Sequence, residues 1–275
     1  MDTRINYDVA ADIFEAAARA DKPRLYLGMS QAGNPCDRFL WFKFRQFTPI
    51  RPEARMIFLF RFGDKIEELV CSHLRAAGYK LEHAWPDPQL GFSQVGGILS
   101  GHSDGFIHLP EGKALLECKS AKAKKFQAFK LGGVKATNLI YWRQAQLYMG
   151  CAGVRFALFV IVNKDDSNIY TELVRFDQVE FDFLINRVRS VCSSPCLPDP
   201  IDSTECIYCD FRLHCKTREG TQLHHNCMTC ASMGVEIPLE GTPALFDCEN
   251  PAHPCRIYHP ELICREYSWI GSVPF

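Results

Sequence analysis

The stretch GHSDGFIHLPEGKALLECKS covers residues 101 to 120 and decides the fold of this chain. Its segments Gly105 to Leu109 and Ala114 to Cys118 read as strands, and the proline and glycine between them indicate a turn. On a strand, side chains two apart point the same way, so Glu117 and Lys119 share a face. Because the hairpin returns the second strand alongside the first, we expect Asp104, Glu117 and Lys119 to lie close together.

Two carboxylates and a lysine on neighbouring strands predict a metal-dependent site. Carboxylate, carbonyl and water oxygens are the ligands that Mg²⁺ and Mn²⁺ prefer, so Asp104, Glu117 and the carbonyl of Cys118 are candidate ligands. Such an ion would polarise a phosphodiester and acidify a bound water, while Lys119 would orient that water. The alternative is an exposed strand with alternating charges.

Around this hairpin, helical and strand patterns alternate along the chain. Apolar residues recur every three to four positions in the predicted helices, and Gly-punctuated runs of β-formers mark the predicted strands. The predicted helices are residues 8 to 20, 53 to 77, 137 to 150 and 178 to 192, and the further predicted strands are 92 to 95, 155 to 163 and 169 to 176. This order predicts an α/β fold with a mixed central sheet.

The composition limits the class of protein. With 275 residues and 47% hydrophobic content, the chain can bury one main core and carry a small module. The formal charge of −1 gives no global field toward a polyanion. The N-terminus has no signal-peptide pattern and the apolar runs are too short for a membrane span, so we expect a cytoplasmic protein without a membrane partner.

Two further motifs flank the hairpin. Gly63-Asp64-Lys65-Ile66-Glu67 lies in the preceding predicted helix, and Tyr141-Trp142-Arg143-Gln144-Ala145-Gln146-Leu147-Tyr148 lies in the following one. In order, the four motifs resemble the lambda-exonuclease and RecB-like branch of the PD-(D/E)xK nuclease superfamily, over about residues 30 to 215. The resemblance implies a restriction-endonuclease-like core, a mixed sheet flanked by helices.

The same resemblance implies roles for individual residues. Glu67, Asp104 and Glu117 would serve the metal ions, and Lys119 would serve the attacking water. Gln144 and Tyr148, four apart on one helical face, would contact the phosphate or the strand. The chain departs from the family at Glu67, where many relatives have histidine. The alternatives without a functional role are a solvated surface carboxylate at Glu67 and an aromatic residue of the core at Tyr148.

Fourteen cysteines in a chain without a secretory signal favour metal or cluster ligation over disulfides. One early and three late cysteines, Cys36, Cys206, Cys209 and Cys215, resemble the iron-sulfur staple of RecB-family and CRISPR-associated exonucleases. The resemblance implies that they hold a structural 4Fe-4S cluster that closes a nuclease domain of residues 1 to 215. A zinc site of four cysteines is the alternative.

The tail, residues 216 to 275, is rich in cysteine and histidine and poor in hydrophobic periodicity. Cys227 and Cys230 form half of a zinc-knuckle pattern, and Cys248, His253 and Cys255 could complete it. So short a module would have difficulty in burying a core of its own, which favours a zinc site. The alternative is a tail of unligated cysteines that packs on the main domain.

A local basic surface follows the hairpin. From Lys113 to Lys135 there are seven lysines and one glutamate, with Phe126 and Phe129 between them. Cations interleaved with aromatic rings indicate a phosphate-binding surface, and a solvated helix face is the alternative. The surface supports DNA as the expected partner, and the resemblance to exonucleases implies DNA that is single-stranded or has processed ends.

Together these patterns predict a hydrolase that cuts DNA with Mg²⁺ or Mn²⁺. The resemblance implies an exonuclease of recombination, repair or phage DNA metabolism, with recombination or replication proteins as further partners. A structure-specific endonuclease or a CRISPR spacer-processing factor on the same core is the first alternative. A DNA-binding protein without catalysis is the second.

Overall fold

The computed structural model describes residues 8–19, 26–47, 53–212, 215, 227–230, 233–237 and 242–248. The α-helices of this part of the chain are α1 (Val9–Arg19), α2 (Met29–Ala32), α3 (Asp37–Phe44), α4 (Ala54–Ala76), α5 (Ala123–Thr137), α6 (Leu139–Ala152) and α7 (Gln178–Ser193). The strands are β1 (Leu27–Gly28), β2 (Leu81–Glu82), β3 (Gly91–Gln94), β4 (Leu99–His102), β5 (Phe106–Leu109), β6 (Gly112–Ala121), β7 (Phe156–Asn163), β8 (Ile169–Arg175), β9 (Met233–Glu236) and β10 (Leu245–Cys248).

The central sheet is mixed. Its strand order is β2-β5-β6-β7-β8, in which β6 and β7 run parallel and the other neighbours run antiparallel. A parallel pair needs a crossover connection. Here α5 and α6 supply that connection between β6 and β7. The β5–β6 pair is the hairpin expected from the sequence, with Phe106 opposite Leu115.

Helices cover both faces of this sheet. On one face, Leu115 and Phe159 belong to the large apolar core that also includes residues of α5, α6 and α7. On the other face, Leu116 and Val160 pack with Cys71 of α4. Strands that are buried on both faces read as continuous apolar runs rather than as alternating ones, which is the pattern of β7. The predicted α/β class, a mixed central sheet flanked by helices, is confirmed.

A small second sheet supports the approach to the hairpin. Its order is β1-β4-β3, with β4 parallel to β1 and antiparallel to β3. Strand β4 ends at His102, two residues before Asp104, so this sheet fixes where the chain enters the central hairpin. A Cβ at Gly105, which has a φ of 130°, would come within 2.4 Å of the Ala84 Cβ, so this turn requires glycine.

The predicted helices and strands are confirmed with end shifts of a few residues, and the sequence patterns missed others. For helix α5 the sequence pattern predicts only a lysine-rich surface, although Phe126, Phe129 and Val134 are buried along one side of the helix. Its glycines, including Gly133 at a φ of 73°, interrupt the helical periodicity, which is why the pattern was weak. The very short strands β1 and β2 were also missed, because two residues carry no alternation.

The described part of the tail packs against the main domain. Met228, Cys230 and Met233 are buried in the same apolar core as the central sheet. The buried guanidinium of Arg45 donates to the carbonyls of Met228, at 3.3 Å, and Ser194, at 3.0 Å. Residues 216–226 and 249–275, with the candidate ligands His253 and Cys255, lie outside the described residues. Within the described chain, no helix is both long and apolar enough to cross a bilayer.

Candidate active site

The β5–β6 hairpin brings Asp104 against the middle of β6. The main-chain amide of Cys118 donates a hydrogen bond of 2.7 Å to Oδ2 of Asp104. This bond fixes the carboxylate beside the strand that carries Glu117 and Lys119. The other carboxylate oxygen, Oδ1, is left to take a different partner, and the predicted neighbourhood of Asp104 and β6 is present in the fold.

Glu117 and Lys119 lie on one face of β6, as their two-residue spacing predicts. Lys119 Nζ contacts Oε1 of Glu117, and the Glu117 side chain is 0% exposed. Its second oxygen, Oε2, receives no hydrogen bond from the described residues. A buried carboxylate oxygen without a donor is costly unless something positive approaches it. Lys119 Nζ also lies 5.3 Å from the centre of the Tyr141 ring.

Glu67 of α4 is the third carboxylate of this region. Gln89 Nε2 donates a hydrogen bond of 2.9 Å to Glu67 Oε1 and so restrains the side chain. Burial raises the pKa of Glu67 to about 8, and the negative charge of Asp104 adds to that rise. Glu67 is therefore near enough to Asp104 for the charge of one carboxylate to act on the other.

The electrostatics of the site are those of acids crowded in a buried space. Burial raises the pKa of Asp104 above its ordinary value, although Lys119 opposes the rise. Burial likewise raises the pKa of Glu117 to about 7. For Lys119, burial lowers the pKa, but the charges of Glu117 and Asp104 outweigh it and leave the pKa above its ordinary value. Lys119 is therefore a cation at neutral pH.

Gln144 and Tyr148 of α6 approach the same centre. Tyr148 is buried, and burial raises its pKa, with further rises from Glu117 and Asp104 and an opposing hydrogen bond from Gln144. The hydroxyl reaches β4, where a Cβ at Gly101 would come within 2.5 Å of it. The Gly-x-x-Asp spacing therefore has a steric reason, because only glycine leaves room for Tyr148 beside Asp104.

The donor set suits a hard divalent cation. Asp104, Glu117 and Glu67 supply carboxylate oxygens, and the Cys118 carbonyl directly follows Glu117 in the sequence. The positive charge of a bound ion would oppose the effect of burial, which raises the pKa values of these three carboxyl groups. In the described residues, no three histidine, cysteine, aspartate or glutamate side chains stand close enough together to hold a metal ion, so the carboxylates match the cation in chemistry but do not form a closed site.

The four cysteines of the predicted staple line one cavity. Cys36, Cys206, Cys209 and Cys215 surround a space of about 350 Å³ together with apolar and polar side chains. Cys36 stands at the N-cap of α3, and the other three come from the segment after α7. Burial raises the pKa of Cys209, and the neighbouring Cys36 and Cys206 raise it further. Residues 170 apart in sequence thus share a thiol-lined cavity.

Side chains of α3 contact the segment that carries the late cysteines. Arg38 Nη1 donates to Cys215 Sγ at 3.7 Å and Arg38 Nε donates to the Pro198 carbonyl at 2.6 Å. Lys43 forms an ion pair of 2.8 Å with Asp210. These contacts fix the late cysteines next to α3.

The tail cysteines are only partly described. Cys248 is the last residue of β10 and lies opposite Met233. The amide of Met233 donates a hydrogen bond of 3.2 Å to the carbonyl of Cys230. The small β9–β10 pair therefore places Cys230 and Cys248 in one substructure. Cys227 begins a 3-10 turn, and its side chain lies outside the described set. The zinc set of Cys227, Cys230, Cys248, His253 and Cys255 stays a prediction.

The structure divides the lysine-rich surface. Lys113, near the start of β6, forms an ion pair of 2.7 Å with Glu82. At about 3.3 Å per residue, it lies about 20 Å along the strand from Lys119. Lys122 and Lys124 are exposed at the start of α5, directly after β6. Lys135 lies over Trp142 at 3.9 Å. The exposed cations that follow the hairpin directly in the chain are therefore those at the start of α5.

Several residues of the site escaped the sequence patterns. Gln89 lies in an irregular segment, where no periodicity marks a partner for Glu67. Asp64 belongs to the motif of residues 63 to 67, but its influence on the pKa of Asp104 depends on how α4 packs. Arg38 lies two residues after Cys36, and only the tertiary contact with Cys215 gives it a role. These partners depend on long-range packing that one sequence does not encode locally.

No protein-family model and no curated protein matches the sequence. Solved structures are similar at low identity. SSO0001 matches at 14% identity and a TM-score of 0.49, over 77% of this chain and 98% of that one. LHK-Exo in complex with dAMP matches at 16% identity and a TM-score of 0.44, over 66% of this chain and 90% of that one. The alkaline exonuclease LHK-Exo from Laribacter hongkongensis matches at 15% identity and a TM-score of 0.41, over 64% of this chain and 90% of that one. The likeness concerns the fold, and the assignment of the site depends on its own geometry.

Proposed function

We propose that this protein is a divalent-metal-dependent deoxyribonuclease that hydrolyses phosphodiester bonds, and that it acts as an exonuclease. The observation that carries the proposal is the meeting of the half-buried Asp104 and Lys119 with the fully buried Glu117 at one hairpin, where an oxygen of Glu117 is left without a donor. A stability role explains this poorly, since burying acids without donors is costly. A site that receives a cation and a phosphate explains it.

The residues have distinct roles in this proposal. Asp104, Glu117, Glu67 and the Cys118 carbonyl would hold Mg²⁺ or Mn²⁺. The ion supplies electrophilic activation of the phosphodiester and lowers the pKa of water near it. Asp104 is positioned for this role by the Cys118 amide, which occupies only one of its two oxygens.

Lys119 and Tyr148 act as hydrogen-bond donors. Because the neighbouring carboxylates raise the pKa of Lys119, it stays protonated and can neutralise a phosphate or orient a water, but it does not accept a proton. Tyr148 has a raised pKa and stays neutral, so its hydroxyl can donate to a phosphate oxygen while Gln144 hydrogen-bonds to it. Donors aimed at developing negative charge stabilise the transition state.

We propose that Cys36, Cys206, Cys209 and Cys215 hold a structural 4Fe-4S cluster, with a four-cysteine zinc site as the alternative. The thiols line one cavity, and Arg38 donates to one of them. Four thiolates are the usual ligand set of such a cluster. The cluster would join α3 to the segment after α7, on elements that are far apart in sequence. A reducing cytoplasm fits cysteines kept for ligation.

Linear and circular DNA test the reaction. With Mg²⁺ or Mn²⁺ we expect end-labelled linear single strands to be degraded and covalently closed circles of the same sequence to stay intact. With EDTA in place of the metal, both should persist. Electrophoresis of the products over time makes the measurement. Cleavage of the circles would identify an endonuclease, and no cleavage with either metal would leave a DNA-binding protein.

A second test concerns the tail. We expect about one zinc per chain, beside the iron, as for a closed four-ligand structural site. Cys248→Ser should remove the zinc and spare the iron, because the two sites use separate ligands. A point variant is preferable to truncation, since Met228 and Met233 belong to the main core. Elemental analysis of protein prepared without chelators makes the measurement. If full-length protein contains no zinc, packing alone holds the tail.

A further inference from the structure

Residues 84–90, in the connection from β2 to β3, contact both helix α4 and the hairpin of the candidate active site. The side chain of Ala84 is fully buried in the apolar cluster that contains Cys71 of α4. On the hairpin side, the Cβ of Ala84 is the atom that leaves no room for a side chain at Gly105. We call residues 84–90 the bridging segment, because they join the helix of Glu67 to the turn of Asp104.

The bridging segment contacts both neighbours of Asp104 in the chain. The main-chain amide of Ser103 donates a hydrogen bond of 3.1 Å to the carbonyl of Leu90, at the end of the segment. Gly105 lies against Ala84, at the start of the segment. The residues before and after Asp104 are therefore both held by the same short stretch of chain.

Arg75, in the last turn of α4, attaches the first half of the bridging segment to the helix. Its Nη2 donates to the carbonyl of Ala84 at 2.9 Å and forms an ion pair of 3.0 Å with Asp87. Its Nη1 donates to the carbonyl of Trp85. Within the segment, the amide of Asp87 donates 2.9 Å to the Ala84 carbonyl and closes a turn. One arginine thus fixes this turn to α4.

Gln89 attaches the second half of the segment to α4, at a residue of the candidate site. Its Nε2 donates a hydrogen bond of 2.9 Å to Oε1 of Glu67. Glu67 precedes Arg75 by eight residues, about 12 Å along the helix at 1.5 Å per residue. The segment is therefore fixed to α4 at two separate points. The bond to Gln89 uses Oε1 of Glu67, so Oε2 is the oxygen that a cation can take.

The donor is a neutral amide, which suits a carboxylate that is to bind a cation. A lysine in this place would reduce the negative charge of the carboxylate, as Lys80 and Lys113 do at Glu82. The amide of Gln89 instead orients Glu67 and leaves its charge to act on an ion. Carboxylates that bind metals are themselves commonly hydrogen-bonded, and loss of such a partner lowers metal affinity or activity by roughly 10- to 100-fold.

We propose that Gln89 is a positioning residue of the candidate metal centre, which acts through Glu67, and that the bridging segment sets the separation of Glu67 from Asp104. The proposal rests on the proposed nuclease function and adds to it a residue outside the ligand set. Among the described residues the acids do not by themselves close around an ion. Their separation therefore depends on the chain that joins them. Loss of the Gln89 donor should weaken metal binding and leave the chemistry at saturating metal nearly unchanged.

Direct metal binding tests the proposal without a cleavage step. Mn²⁺ alone is the probe, and electron paramagnetic resonance measures the free ion as protein is added. Gln89→Met keeps the length of the side chain and removes the donor. It should raise the Kd for Mn²⁺ about 10-fold, the lower end of the range for such partners, because the bond is exposed to solvent.

Gln178→Met is the matched control. It removes a similar bond, of 2.8 Å to Asp182, within α7, which supplies no residue to the candidate site. This variant should bind Mn²⁺ like wild type. In cleavage assays, the Mn²⁺ concentration for half-maximal rate should rise in Gln89→Met by the same factor as the Kd, while kcat at saturating Mn²⁺ stays near that of wild type. A purely structural role would not produce this split.

A double-mutant cycle assigns the effect to Glu67. In a Glu67→Ala background, Gln89→Met should not change the Kd for Mn²⁺ further, because the bond is already absent. Equal Mn²⁺ affinity of wild type and Gln89→Met, or the same loss of affinity in both backgrounds, overturns the inference. If wild-type protein neither binds Mn²⁺ nor cleaves DNA, the nuclease proposal fails as well.

Discussion

Glu117→Gln should lower kcat for DNA cleavage by about 10³-fold or more, the scale at which loss of a key electrostatic group acts. The substitution keeps the shape of the side chain and removes the charge that would hold a cation. The fold should persist, since burial already disfavours the charge of Glu117 and raises its pKa to about 7. Single-turnover cleavage with saturating enzyme measures the effect, and thermal unfolding checks the fold.

Lys119→Ala should show a loss of similar scale, with much of the DNA affinity kept because phosphate contacts are distributed over several cations. Lys113→Ala is the matched control. It removes a lysine from the same strand, but one that pairs with Glu82 far from the hairpin acids. The control should cleave like wild type. Near-normal turnover by purified Glu117→Gln or Lys119→Ala would remove the proposed site from consideration.

Protein purified without oxygen should be brown, with iron and sulfide each near four per chain, the stoichiometry of the cluster. Cys206→Ser should lose the colour and much of the stability. By chain entropy, a link from residue 36 to residue 215 is worth about 5 kcal/mol. That is a large part of the roughly 5 to 15 kcal/mol that stabilises an ordinary domain. Absorbance, elemental analysis and thermal unfolding make the measurement.

Cys196→Ser supplies the control for this experiment. Cys196 is exposed in the same segment but does not line the cavity of the four staple cysteines. Its substitution should leave both the iron content and the unfolding temperature unchanged. Stoichiometric zinc without iron in the anaerobic protein would show that the four thiols form a zinc site instead.

The sequence by itself determined the hairpin and which of its side chains share a face. Period-two alternation fixed the shared face of Glu117 and Lys119, and the Pro-Glu-Gly turn fixed the return of β6 beside Asp104. The long helix α4 followed from its apolar period. These features depend on residues close together in the chain, and local backbone geometry is enough to place them.

Other features were decided only by the tertiary structure. Gln89 reaches Glu67 across 22 positions, and Arg45 joins the tail to the core across 183. Contacts between distant elements depend on how whole faces pack together, and a single chain pattern carries no local signal for them.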